Sequence, residues 1–273
     1  YKLMFSGLLD VFFKNIYNVI IGKFYDPQVL GYFERSRQFN DYSSSTLNGI
    51  ITKVSYPMMS EIKDDKVYFK LTYKKIVRSA MFLIVPIILL ISAVSEPLFL
   101  ILLGKAWLPA VPLFKILSFG SILYPIHNFS LNVLKTYGRS DLFLKVEIQK
   151  KVLFIVSILI MYKFGLIGLL WSTVVSSILA MFVNMYYCGK IINYNTSEQL
   201  RDILIPIILS MILFFVTSFC ISNIEFKYSF LSIIFSSTIG LSIYLFLNII
   251  IKESPIHYFL IILKQMYKSD SSN

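Results

Sequence analysis

Residues 165–188 read GLIGLLWSTVVSSILAMFVNMYYC, without a single charged side chain. A helix of that length rises roughly 36 Å, enough to cross the hydrocarbon of a bilayer. Two more runs, Ile203–Ile224 and Tyr228–Ile251, are equally free of charge. Ser79–Ser95 and Ile116–Leu134 come close, with Pro86 in the first and Pro125 and His127 in the second. Leu142–Tyr162 is charged in its first half, at Lys145, Glu147, Lys150 and Lys151, and apolar in its second. That pattern predicts a helix extending below the membrane before entering it.

Composition agrees. Of 273 residues, 56% are hydrophobic and 15% charged, and the mean hydropathy is +0.71. A soluble domain has about a quarter of its residues charged, so that class is excluded. Backbone polar groups in lipid must bond internally, which makes long continuous runs helices. The fold expected is therefore all-α integral membrane.

Two further stretches, Phe5–Lys23 and Val29–Met59, are long enough to span but carry charges, and with them the count is about eight. The first does not read as a cleavable signal peptide, since Asp10 and Lys14 interrupt it and no cleavage pattern follows. With the N-terminus inside, eighteen of the 26 Lys and Arg fall on the cytoplasmic side and five outside. The net charge of +11 then belongs to cytoplasmic loops and an anionic partner rather than to nucleic acid. Eight spans return the C-terminus inside, where 253–273 reads as a cytoplasmic amphipathic tail. Asp64–Asp65 read as part of a solvated Lys-rich loop. Cys188 and Cys220 read as packing residues.

A charge at the centre of a lipid-facing helix costs a few kcal/mol, so such residues normally face a bundle interior or a wet cavity. Asp10, Lys14 and Asn18 lie four apart and share a helix face. Glu34, Gln38, Asp41, Ser45 and Asn48 form a second stripe, with Arg37 placed to pair with Glu34 or Asp41, and Arg35 pointing elsewhere. One reading is a hydrophilic cavity lined by both helices, with Arg37, Lys14 and Arg35 holding an anion beside Asn18 and Gln38. Arg suits phosphate because its planar fork bonds two oxygens. Asp10, Glu34 and Asp41 are then candidates for ion coupling. Structural salt bridges, or snorkelling of Arg35 to the outer interface, are the other readings. His127–Asn128 is a polar pair beside Pro125, read as bonded inside the bundle. The two histidines are far apart, with no metal-ligand spacing and no cofactor motif.

Asp26-Pro27-x-x-Leu30-Gly31-Tyr32-Phe33 opens the polar helix, and Val54-Ser55-Tyr56-Pro57-Met58-Met59-Ser60 closes it. Leu103-Gly104-x-x-Trp107, Gly138-Arg139-Ser140 and Gly165-Leu166-x-Gly168 follow in order. Together these resemble the polysaccharide transporter family, the Wzx-type flippases of lipid-linked oligosaccharides within the multidrug/oligosaccharidyl-lipid/polysaccharide exporter superfamily. The resemblance implies one six-helix lobe of a two-lobe exporter, residues 1–190, plus two additional transmembrane helices, 191–252. It also implies that the chain, which begins at Tyr1, is a C-terminal portion whose partner N-terminal lobe lies elsewhere in the same protein. The implied activity is flipping of undecaprenyl-pyrophosphate-linked repeat units across the bacterial inner membrane, for O-antigen, capsule or exopolysaccharide. The implied partners are the polyprenyl pyrophosphate, membrane lipids and polysaccharide polymerase machinery, with no nucleic acid, and the family is not enzymatic. A multidrug exporter, a membrane glycosyltransferase or acyltransferase, and an assembly subunit are the competing readings.

Overall fold

A computed structural model describes residues 13, 15–224 and 229–251, apart from the side chains at 47, 48, 50, 51 and 53–55. Asp10, Lys14, the side chain of Asn48 and the tail 253–273 lie outside that description. All regular structure among the described residues is helical.

Helix α1 covers 15–24. After a turn, α2 runs Pro27–Glu61. It starts cleanly because Asp26 is extended and Pro27 occupies the first turn, where no N–H is needed. Helix α3 is Lys66–Ala93, with Asp65 as its N-cap, accepting from the Val67 and Tyr68 amides at 3.0 and 2.9 Å. Asp64 and Asp65 lie in an exposed turn, as expected, and Asp65 in addition caps the helix that begins at Lys66. A short α4, Ser95–Leu102, precedes a left-handed Gly104 and a 3₁₀ turn at Lys105–Trp107.

Helices α5, Ala110–Ser121, and α6, Tyr124–Thr136, are the two halves of one crossing, interrupted just before Pro125. Helix α7, Ser140–Met161, and α8, Gly165–Ile192, form a hairpin that reverses at Gly165, whose φ is +70°. Phe143 and Val146 pack near Tyr187, while Ile158 packs near Leu169, so the two run antiparallel. Helices α9, Thr196–Asn223, and α10, Ser229–Ile250, complete the set. Five helical stretches of the described residues are long and apolar enough to cross a membrane, and one of them, Ser140–Ile192, is the α7–α8 hairpin. Helix α2 is long enough but too polar to be counted with them.

The main core joins α3, α6, α8 and α9 through Phe69, Tyr73, Met81, Ile84, Phe129 and Met185. Large apolar side chains such as Leu159, Phe215, Phe219 and Phe246 face outward, as a bilayer requires and water would not tolerate. Cys188 and Cys220 are buried free thiols.

At one end, α9 is fixed by charge. The Asp202 side chain is only 5% exposed and pairs with Lys74 at 3.0 Å and with Arg78. The Tyr194 hydroxyl donates to the same carboxylate. Burial, and then that hydrogen bond, push the Tyr194 pKa well above the ordinary phenol range, so it remains a donor. Nearby, Tyr137 donates to the Lys63 carbonyl at 3.0 Å, and Lys70 pairs with Glu198 at 3.0 Å. The turns after α2, α6 and α8 therefore lie at the same, Lys-rich end, which is the cytoplasmic one by charge.

A second cluster lies in the first half of α7. The Glu147 side chain is 3% exposed and pairs with Lys150 at 2.6 Å and Lys151 at 4.0 Å. These three charges are internal because they pair, whereas Lys145 is exposed.

Removing one partner of a buried ion cluster leaves the others uncompensated. Asp202→Asn should therefore lower the stability of the purified protein by about 3 kcal/mol. Glu198→Gln breaks a more exposed pair and should cost under about 1 kcal/mol. Thermal unfolding in detergent compares the two, and equal effects would contradict the clamp.

Candidate functional site

Helix α2 has two polar faces, and they do different things. Phe33, Ser36, Asn40 and Ser44 recur at steps of 3, 4 and 4 and are buried. Ser36 Oγ donates to the Ala110 carbonyl at 2.8 Å, and Asn40 Nδ2 donates to Ser121 Oγ at 2.7 Å. Further along, Asn128 Nδ2 donates to Thr52 Oγ1 at 2.8 Å. These bonds hold α2 against α5 and α6. They leave the opposite face, Gly31, Glu34, Arg35, Gln38, Asp41, Tyr42 and Ser45, along an open cleft of about 620 Å³. Arg37 and Trp107 complete the lining.

Six residues of the polar stripe and its arginines thus meet here: Glu34, Arg35, Arg37, Gln38, Asp41 and Ser45. The arrangement differs from expectation in two ways. First, Arg35 and Arg37 line one cleft although their positions lie far apart around the helix. Positions 31, 34/35, 38, 41/42 and 45 form one stripe with Arg35 on it, and the long Arg37 side chain reaches over from its flank to Glu34, at 3.1 Å. Second, the lining comes from α2 and the Trp107 turn, and no described residue of α1 contributes. Asn18 is half-buried, its Oδ1 buried without a hydrogen-bond partner, and it does not line the cleft. Helix α1 instead packs through Tyr17 against Phe33, ring centroids 6.0 Å apart. Lys14 and Asp10 lie outside the described residues.

The two arginines are in different states. Arg37 is paired with Glu34, whereas Arg35 is in no ion pair among the described residues. Its guanidinium lies over the Trp107 ring, 5.2 Å from the centroid, and donates to Gln38 Oε1 at 3.0 Å. Stacking and one hydrogen bond orient the fork while leaving its charge uncompensated. Trp107 is the shelf beneath it. The only sequence signal for this role was its place in the Leu103-Gly104-x-x-Trp107 motif.

His127 is elsewhere. Asn184 Nδ2 donates to its Nδ1 at 2.8 Å, which leaves Nε2–H to donate to Ser177 Oγ at 3.0 Å, and Ser177 donates on to the Gly120 carbonyl at 2.9 Å. Both ring nitrogens are taken up inside the bundle. Among the described residues no three metal-ligating side chains gather.

Residues 1–112, which include all of α2 and the Trp107 turn, match the family model described as polysaccharide biosynthesis protein. Over that stretch the chain is similar to proteins of polysaccharide biosynthesis. Teichuronic acid biosynthesis protein TuaB of Bacillus subtilis is 22% identical over 206 residues, 75% of this chain and 43% of the relative. Lipopolysaccharide biosynthesis protein WzxC of Escherichia coli is 22% identical over 183 residues, 65% of this chain and 37% of the relative. A membrane protein of the cps region of Klebsiella pneumoniae is 21% identical over 155 residues, 57% and 32% of the two chains. The matched stretch spans less than half the length of each of these relatives. No solved structure matches.

The charged outward face of α2 should be wet rather than lipid-exposed. Cysteine introduced at Gln38 or Ser45 should react readily with a membrane-impermeant thiosulfonate. Cysteine at Ser36 or Ser44, on the buried face, should not. Both native cysteines are buried and give a low background. Labelling of both faces alike would mean that α2 packs differently.

Proposed function

We propose that this chain forms part of a flippase that carries undecaprenyl-pyrophosphate-linked oligosaccharide repeat units across the bacterial cytoplasmic membrane. The observation that carries this reading is the Arg35 guanidinium, in no ion pair among the described residues and held over Trp107 at an open cleft. A pyrophosphate is the part of such a lipid that resists the hydrocarbon, and a guanidinium fork suits its oxygens. Gln38 orients the fork, and Glu34 holds Arg37 close as a second cation. Glu34 and Asp41 are the acidic groups through which an ion gradient would couple. The polyprenyl tail stays in the bilayer. The inside-negative potential favours outward movement of the anion by about 2.3 kcal/mol per charge per 100 mV. A second lobe, supplied by the same protein, would close the cleft from the other side, and polymerase machinery would receive the repeat unit. The names of the relatives, in teichuronic acid and lipopolysaccharide biosynthesis, support a surface-polysaccharide role.

One observation favours a second reading. The cleft also holds Glu34, Asp41, Tyr42 and Trp107, an acidic and aromatic set that suits organic cations, as in a multidrug exporter of the same superfamily.

Deleting the gene and measuring lipid-linked sugars by mass spectrometry separates the two. A flippase deletion accumulates the full repeat unit and loses surface polysaccharide. Unchanged lipid-linked sugars with altered drug tolerance would replace the flippase by the exporter. In the complete protein, Arg35→Gln should lower surface polysaccharide output roughly 10- to 100-fold, the worth of a hydrogen bond to a charged group. Arg35→Lys, which keeps the charge but loses the fork, should fall between.

A further inference from the structure

Helices α7 and α8 leave a groove on their outer side, remote from the α2 cleft. It is about 690 Å³ and lined by Ile148, Val152, Leu153, Phe182, Tyr186 and Tyr187, among others. Its apolar part covers Ile148 to Leu153 on α7, a rise of about 8 Å. Its other end is polar and cationic. Lys190 lies over the Tyr186 ring, 4.5 Å from the centroid, and Lys145 lies over the Tyr187 ring at 5.7 Å. The two rings meet edge to face at 5.2 Å. Thr196, the first residue of α9, closes the same end, and no side chain caps the amides of that helix start.

The charges at this end are not internally balanced. Among the described residues, neither Lys145 nor Lys190 is in an ion pair. The carboxylates nearest in sequence are engaged elsewhere: Asp141 with Arg139, Glu147 with Lys150 and Lys151, and Glu198 with Lys70. The groove is therefore apolar toward the membrane and doubly cationic at the end that charge assigns to the cytoplasm. We infer that this groove holds one anionic phospholipid of the inner leaflet, its phosphate between Lys145 and Lys190 and an acyl chain along Ile148, Val152 and Phe182. Free phosphate satisfies only the cationic end, and a zwitterionic lipid brings its own cation against the lysines. An anionic diacyl lipid satisfies both ends.

Native mass spectrometry of the purified protein, after equilibration with vesicles of phosphatidylglycerol or phosphatidylcholine of matched chains, tests this. The wild type should retain phosphatidylglycerol in preference to phosphatidylcholine. K145A/K190A should lose that preference, by roughly fivefold per lysine, while eluting as the wild type does. K63A/K75A removes the same charge from the same end of the molecule and should retain it. Equal retention of the two lipids by the wild type, an unchanged preference in K145A/K190A, or equal loss in K63A/K75A would each overturn the site. Displacement of the lipid by millimolar inorganic phosphate would also overturn it, since the acyl contacts would then contribute nothing.

Discussion

Hydrocarbon does not accept the side chains that α2 carries, and most of the described structure can be read as the answer to that constraint. A helix with Glu34, Arg35, Arg37, Gln38 and Asp41 in its first half must find water or partners. Here it finds both. Its small polar face is satisfied against α5 and α6, through Ser36, Asn40 and the Thr52–Asn128 bond. Its charged face is turned to an open cleft. Neither face needs lipid, and the apolar outward surfaces of α7, α8, α9 and α10 are the ones suited to it.

Polar groups inside the bundle follow the same rule by pairing. Glu147 takes Lys150 and Lys151, and Asp202 takes Lys74, Arg78 and Tyr194. His127 is held at both nitrogens. The Asp202 cluster fixes the start of α9 to α3 at the Lys-rich end. The α9–α10 pair is thereby tied to the core formed by α3, α6 and α8, and those helices should move together.

Sequence made some of this plain and hid the rest, for physical reasons. The charge-free runs at 165–188, 203–224 and 228–251 became α8, α9 and α10 because nothing but a bilayer accepts them. The stripe through Glu34, Gln38 and Asp41 was legible because the α-helical period is fixed. That Arg35 and Arg37 share a cleft was hidden, because Cα directions alone do not show how far a long side chain reaches, nor that Trp107 from a distant turn would come beneath Arg35. The cap at Asp65 and the pairing of Lys70, Lys74 and Arg78 with α9 were hidden, because a Lys-rich stretch beside a turn names no partner. The Asp202 cluster joins residues more than a hundred positions apart, a pairing that spacing cannot reveal.

The central claim is that the α2 cleft receives the pyrophosphate of a lipid-linked saccharide. A photo-crosslinking amino acid at Gln38, introduced into the complete protein in living cells, reports directly on what enters. On irradiation, the account requires an adduct whose mass is that of a polyprenyl-pyrophosphate saccharide, reduced when Arg35→Gln is added. Adducts of ordinary phospholipid alone, or no adduct while the protein still supports polysaccharide export, would contradict it.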